Sequence, residues 1–299
     1  MARRPAILLT VGDPLGVGPE ICAAAKKAWP SVRIVGPRLA GADIETPCAS
    51  LPKRRAPCAE GGAAAIAALR KAAAMCLAGE AEGVVTAPIS KEALRLAGEP
   101  FPGHTEFFGK VCSVRRPVMA FSAGELFVSL VTIHIPLRRV PMAVTRAGVL
   151  HVIERTHEAL RDWFGKARPR IAVCGLNPHA GERGLFGGEE RKVIAPAVED
   201  AVKKNIDATG PWPADSLFAK RDFDGAVAMY HDQGLVAVKA LAWKTAVNVT
   251  LGLPFVRTSP DHGTAFDIAG TGTADPSSLI EAVRLADRIA RTGIAGKLF

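Results

Sequence analysis

Short, uninterrupted apolar runs punctuate this chain, and longer helix-forming stretches separate them. AILLTV (residues 6–11), VRIVG (32–36), GVVTAP (83–88), LFVSLVTI (126–133), RIAVC (170–174) and GAVAMY (225–230) lack the in–out alternation of a half-solvated strand. Runs of this kind are strands buried on both faces, and crossover helices are what cover both faces of a sheet. Helical patterns fill the gaps at 21–29, 60–77, 90–98 and 148–164, and a last helix opens at Asp275-Pro276 and runs to about Arg291. Strand and helix alternate, so the expected class is α/β with mostly parallel sheets. The 299 residues leave room for two domains, but no repeat, linker or change of composition marks a boundary.

Composition narrows the function. Hydrophobic residues make up 48% and charged ones 22%, ordinary for a folded protein. The net charge is +9, yet the cations are scattered (Arg3 and Arg4, Lys53 to Arg55, then singly) and none interleave with aromatics. That argues against nucleic acid and for a solvated surface with a pocket for phosphorylated substrates. Six cysteines without a CxxC pair read as reduced thiols of a cytoplasmic protein. The N-terminal apolar run is too short for a signal peptide, and no stretch approaches the roughly 20 apolar residues of a membrane span.

The polar residues are placed conspicuously. Residues 225–257 release His231, Asp232 and Gln233 at the end of GAVAMY, carry Lys239 on a second apolar run, and bring Asn248 and Arg257 on a further strand and loop. So many polar groups beside buried strands each need a partner, which suits an active site better than a core. His134, His179 and His231 each end or closely follow an apolar strand. Ligands of open α/β sheets bind at the carboxyl ends of strands. Three imidazoles gathered there would suit Zn²⁺ or a similar divalent ion, with Asp215 and Asp232 fixing their tautomers. The alternative is three unrelated loop histidines. His151 and His157, six apart on one helix, point to nearly opposite faces and cannot share an ion. His104 and Thr105 follow Pro-Gly at a helix start. They fit a phosphate on free backbone N–H groups, and equally a Thr105 cap beside a surface histidine. The glycines of GDPLGVGPE (12–20) match GxGxxG poorly, and VRIVG lacks the acidic residue that holds a ribose hydroxyl, so a tight turn near the active site is expected in place of a Rossmann site.

The strings GDPLGVGPE, PFPGHTEFF, HIPL, CGLNPHAGE, PADSLF, YHDQGL and VNVTLGLPFVRTSPDHGTAFDIAG together resemble the 4-hydroxythreonine-4-phosphate dehydrogenase family of vitamin B6 biosynthesis. The match runs from near the N-terminus to the last helix. HGTAFDIAGTGTADP is also similar to the cofactor loop of isocitrate and isopropylmalate dehydrogenases. The resemblance implies their two-domain α/β fold, with residues 1–112 and 259–299 forming the first domain and 113–258 a second that holds the metal site and the dimer interface. It implies His134, His179 and His231 as ligands of Zn, Mg or Co. His104, Thr105, Lys239, Asn248 and Arg257 would bind substrate, and NAD or NADP would lie on the loop of Gly263, Thr264 and Asp267. It further implies a homodimer with the active site at its interface. Oxidation of a secondary hydroxyl would precede decarboxylation, with Lys239 handling a proton or pairing a carboxylate while Asp232 and Asp215 orient the site. Sister enzymes acting on 4-phosphothreonate, 4-phosphoerythronate or unphosphorylated diols share these motifs. A phosphate acyltransferase of related fold needs no three histidines. Residues 36–60 look shorter than in family members.

Overall fold

The computed structural model describes residues 6–292 and divides the chain into two compact units, Met1–Pro117 with Val247–Phe299, and Val118–Ala246. The chain begins the first unit with β1 (Ile7–Thr10), α1 (Gly18–Ala28), β2 (Arg33–Gly36), β3 (Ile44–Glu45), α2 (Ala59–Leu77), β4 (Gly83–Thr86), α3 (Lys91–Leu96) and α4 (His104–Val111). It then builds the second unit from β5 (Val118–Ala123), β6 (Leu126–Leu130), α5 (Val140–Ala143), α6 (Arg146–Phe164), β7 (Ile171–Cys174), α7 (Ala195–Lys203), β8 (Ala208–Trp212), α8 (Ala214–Lys220), β9 (Gly225–Ala228) and α9 (His231–Ala242). Finally it returns to the first unit with β10 (Val247–Leu251), β11 (Val256–Pro260) and α10 (Ser277–Arg291).

In the first unit the strand order is β3-β2-β1-β4-β11-β10. All neighbours are parallel except β10, which runs antiparallel to β11. Every residue of β1 and β4 is buried, as the unbroken apolar runs require. Alanine-rich α2 lays small side chains and Leu69 on this sheet around Leu8, Val35 and Val84, and Phe107, Phe108 and Phe255 complete the cluster with edge-to-face rings. In the second unit the order is β5-β6-β9-β7-β8, with β5 and β6 an antiparallel hairpin and the remaining pairs parallel. Its core joins Phe121, Val128, Leu130, Ala172 and Ala226 to Leu235 and Val238 of α9.

Several expectations need correcting. Residues 113–117 and 247–258 lie in the first unit, because β11 inserts between β4 and β10. Arg257 therefore stands on a strand, and Lys239 on a helix. LFVSLVTI stops being strand at Leu130 and GAVAMY at Ala228. Among the described residues, no helix is long and apolar enough to cross a membrane. All six cysteines are free.

Candidate active site

The second unit brings the three strands that precede His134, His179 and His231 side by side. β6, β9 and β7 are adjacent and parallel, so their carboxyl ends lie side by side at one sheet edge. His134 follows β6, His231 opens α9 directly after β9, and His179 lies in the turn after β7. Neighbouring strands are roughly 4.8 Å apart, which sets the scale of the cluster. The rings of His134 and His231 stand 5.7 Å apart between centroids. His231 Nδ1 meets the Asp232 carboxylate at 2.7 Å. His179 lies against Phe186 and shares a cavity of about 700 Å³ with Asp215, Tyr230, Asp232 and Gln233. The structure thus pairs two imidazoles and places the third beside both acids. Among the described residues, however, no three His, Cys, Asp or Glu side chains stand close enough to hold an ion. The donor chemistry suits a divalent ion, and the described residues of one chain do not close a ligand set around it.

The strand ends are tied to one another. Gln233 accepts the Met229 N–H at 2.7 Å and donates to the Gly175 carbonyl at 2.7 Å, bridging the ends of β9 and β7. Thr132 N–H and Oγ1 both donate to the Met229 carbonyl, which joins the end of β6. His179 itself opens a run of five residues in the left-handed region, at φ values of 52°, 51°, 77°, 40° and 58° through Arg183. L-residues rarely adopt this conformation in succession, at a cost of roughly 1–2 kcal/mol for each non-glycine residue. A buried carboxylate holds it. Glu190, on a π-helical turn (Glu190–Ile194), accepts the Leu176 and Asn177 N–H groups at 2.9 and 2.7 Å and the Asn177 side-chain amide at 3.1 Å. Gly181 has no room for a side chain, since a Cβ would lie 3.0 Å from Glu190 Cδ. Lys239, half-buried on α9, lies over the Trp243 ring at 5.4 Å.

A second cluster lies in the first unit. Arg257 is 2% exposed, and its guanidinium donates to three neutral oxygens: Thr86 Oγ1 at 2.7 Å, Thr250 Oγ1 at 3.1 Å and Asn248 Oδ1 at 3.3 Å. Its Nε is left without a partner. Burial lowers the guanidinium to about 9, opposed only by the charge of Glu106. His104 is the first residue of α4, and its buried Nε2 also lacks a partner. Burial, then the neighbouring Arg257 charge, hold its pKa well below the ordinary histidine value, so it is neutral at pH 7. No side chain caps α4, and Thr105 is buried at its second position, so the reading of Thr105 as a cap does not hold. A buried cation without a bound carboxylate, an orphan imidazole and an open helix N-terminus make a site for an anion.

The loop of Gly263, Thr264 and Asp267 packs on the glycine turn. Val17 N–H donates to the Thr264 carbonyl at 2.9 Å, and Gly16 lies so close that a Cβ would sit 2.7 Å from that oxygen. The turn glycines thus serve close approach to this loop.

The family description that fits these residues is pyridoxal phosphate biosynthetic protein PdxA, matched over residues 26–286. The chain belongs to the PdxA family. It is 43% identical over 333 aligned positions to a 4-hydroxythreonine-4-phosphate dehydrogenase of Geobacter metallireducens, covering 98% of each chain. The crystal structure of a 4-hydroxythreonine-4-phosphate dehydrogenase from Klebsiella pneumoniae is 37% identical with a TM-score of 0.84, over 96% of this chain and 99% of that one. A terephthalate 1,2-cis-dihydrodiol dehydrogenase from Burkholderia xenovorans is 29% identical with a TM-score of 0.70, over 96% and 98%. An isocitrate dehydrogenase from Methylococcus capsulatus, 17% identical over 97% and 87% with a TM-score of 0.52, shares the fold alone. The two-domain, mostly parallel α/β architecture and the oxidoreductase class agree with what the motifs implied. The 333 aligned positions exceed the 299 residues here, so the Geobacter protein carries segments this PdxA chain lacks.

Sequence reasoning missed Thr86, Thr250 and Glu190. Thr86 is the polar residue of GVVT, and Thr250 stands beside Asn248 in VNVTL, which was the available signal. Glu190 gave none, because an acidic residue entering a helix is ordinary.

Proposed function

We propose that the protein oxidises 4-phosphohydroxy-L-threonine at its secondary hydroxyl, using NAD or NADP and a divalent ion, and that the product loses CO₂ to give 3-amino-2-oxopropyl phosphate in vitamin B6 synthesis. The observation that carries the phosphorylated substrate is Arg257, a fully buried guanidinium hydrogen-bonded only to neutral oxygens beside the orphan His104 Nε2. Such a cation calls for a phosphate to complete it. Thr105 and Asn248 flank the same anion.

When bound, the dinucleotide takes up the hydride, and Zn, Mg or Co stabilises negative charge on the reacting oxygen. His134, His179 and His231 would hold the ion. The Asp232 carboxylate on His231 Nδ1 fixes the tautomer that leaves Nε2 free for it. Lys239 takes the hydroxyl proton as the hydride leaves carbon, or pairs the substrate carboxylate, while Asp215 and Asp232 orient the polar groups of the cavity. The bond to the carboxylate then breaks, CO₂ departs with the electron pair left behind, and a proton returns to that carbon.

A homodimer with the active site at its interface is supported by exposed apolar side chains near the site residues in sequence: Leu137 at 68%, Met142 at 84%, Leu185 at 73% and Trp243 at 73%. Sedimentation of the purified protein tests it. The unpaired thiols support a cytoplasmic location.

The test is reduced-dinucleotide formation by metal-loaded protein with 4-phosphohydroxy-L-threonine, beside 4-phospho-D-threonate, 4-phospho-D-erythronate and a cis-dihydrodiol. Fastest turnover with the first supports the proposal. Turnover confined to the other phosphorylated acids moves the protein to a sister activity, and turnover of the diol alone removes the phosphate role of Arg257.

A further inference from the structure

We propose that a cavity beside the glycine turn of the first unit is a nucleotide-phosphate subsite, and that Lys53 and Arg55 make this chain prefer the dinucleotide with a 2′-phosphate. This rests on the reading that the protein uses a pyridine dinucleotide. The cavity measures about 330 Å³ and draws its wall from three segments. The turn and α1 give Leu15, Gly16 and Glu20, residues 51–55 give Lys53 and Arg55, and the loop after β11 gives Gly270. Its volume is at the lower end of ligand pockets, roughly 300–1,000 Å³, and suits the end of a larger ligand.

The three segments are laced together. Arg55 Nη1 donates to the Leu15 carbonyl at 3.2 Å. Its guanidinium lies on Gly270, where a Cβ would sit 2.8 Å from Cζ and where φ is 76°, a backbone region that favours glycine. Glu20 Oε2 accepts the Gly272 N–H at 3.0 Å. These bonds join the same turn and loop that Val17 and Thr264 connect, on the segment holding Gly263 and Asp267. At Gly270 the cavity therefore borders the loop on which the dinucleotide is expected to lie.

The donor set selects the ligand. Among the described residues, neither Lys53 nor Arg55 pairs with a carboxylate, and Arg55 has spent one N–H on a carbonyl. Two cations with free donors on one small cavity suit a phosphate monoester, which the planar arginine fork meets with two hydrogen bonds. Glu20 Oε1 is buried without a partner, an acceptor suited to a ribose hydroxyl. Arginine on a 2′-phosphate is how a protein favours the phosphorylated dinucleotide, whereas an acidic residue on the 2′-hydroxyl favours the other. Glu20 is therefore matched to the ribose hydroxyl that stays free, and the two cations to the phosphate. Both cations come from residues 36–60, the segment that looks shorter than in other PdxA proteins.

The experiment is a fluorescence titration of the metal-free full-length protein with NADP⁺, NAD⁺, 2′,5′-ADP and 5′-AMP. Wild type is expected to bind NADP⁺ at least roughly tenfold more tightly than NAD⁺, and 2′,5′-ADP more tightly than 5′-AMP, the scale of one charge-assisted contact. Lys53→Ala, which touches no bracing bond, should erase much of that ratio while leaving the Kd for NAD⁺ within about twofold. Arg55→Lys should keep part of it, and Arg55→Ala should lose most. Equal affinity for the two dinucleotides in wild type, or variants that weaken both alike, overturns the subsite while the dehydrogenase reading stands. Binding of neither dinucleotide overturns both.

Discussion

Arg257 is the residue on which the proposed substrate recognition turns, and its environment sets a pH limit. Below about 9 the guanidinium is charged, and as pH rises through that value the free protein loses the charge that attracts a phosphate. The KM for a phosphorylated substrate should therefore climb above pH 9 while the Kd for the dinucleotide stays flat. Arg257→Ala should raise that KM by roughly two orders of magnitude or more at pH 7.5, the scale of losing a bidentate charged contact. An equal effect on both ligands would remove Arg257 from the substrate site. Asp13 makes a second prediction. Burial raises its pKa, one oxygen accepts the Leu15 N–H, and the other has no partner. A carboxyl whose folded pKa is raised opposes folding wherever it is charged, and that penalty fades as pH falls through the folded value. Asp13→Asn should raise Tm by a few degrees at pH 8, with the difference shrinking towards pH 4, and a constant difference would contradict the account. The histidines stood out in sequence because polar residues at the ends of apolar strands are unusual, and Arg257 because a guanidinium among apolar strand residues is. Thr86 and Thr250 became legible only once β4, β10 and β11 were seen to converge on one guanidinium.

At the scale of elements, the left-handed turn after β7 governs where His179 goes. Removing the Glu190 carboxylate leaves three donors to be resatisfied, each worth roughly 1–3 kcal/mol when buried and unmet. Glu190→Ala should lower Tm and weaken Co²⁺ binding by the metal-free protein, read from the cobalt absorption band, whereas Glu190→Gln should stay folded. Gly181→Ala strikes the same turn from the other side, placing a side chain against Glu190 at φ 77°. His179→Ala should abolish Co²⁺ binding with Tm nearly unchanged, since its side chain is exposed. If cobalt binds as before, the histidine cluster is not a metal site. The turn itself was illegible because five residues share a conformation that their side chains disfavour, and only the fold around them enforces it. β5 and β8 escaped notice for a different reason. VMAFSA and ATGPW mix apolar, small and proline residues, so neither period stands out.

For the whole molecule, the α/β class followed directly from buried strands alternating with helices, whereas the boundary did not. β10 reads as strand wherever it is placed, and only pairing of β11 with β4 assigns residues 247–258 to the first unit. Residues 118–246, continuous in sequence and with their own core, should fold when expressed alone, giving a cooperative thermal transition. Residues 1–117 should not, because β11 and α10, which cover β4, come from elsewhere in the chain. That arrangement has a consequence during synthesis. On the ribosome, the flank of β4 waits bare while more than a hundred residues are translated, and the inserted unit finishes first. An unpaired strand held open so long invites association with other nascent chains, so chaperone dependence should concentrate on the N-terminal segment and end when Val256–Pro260 emerges from the exit tunnel.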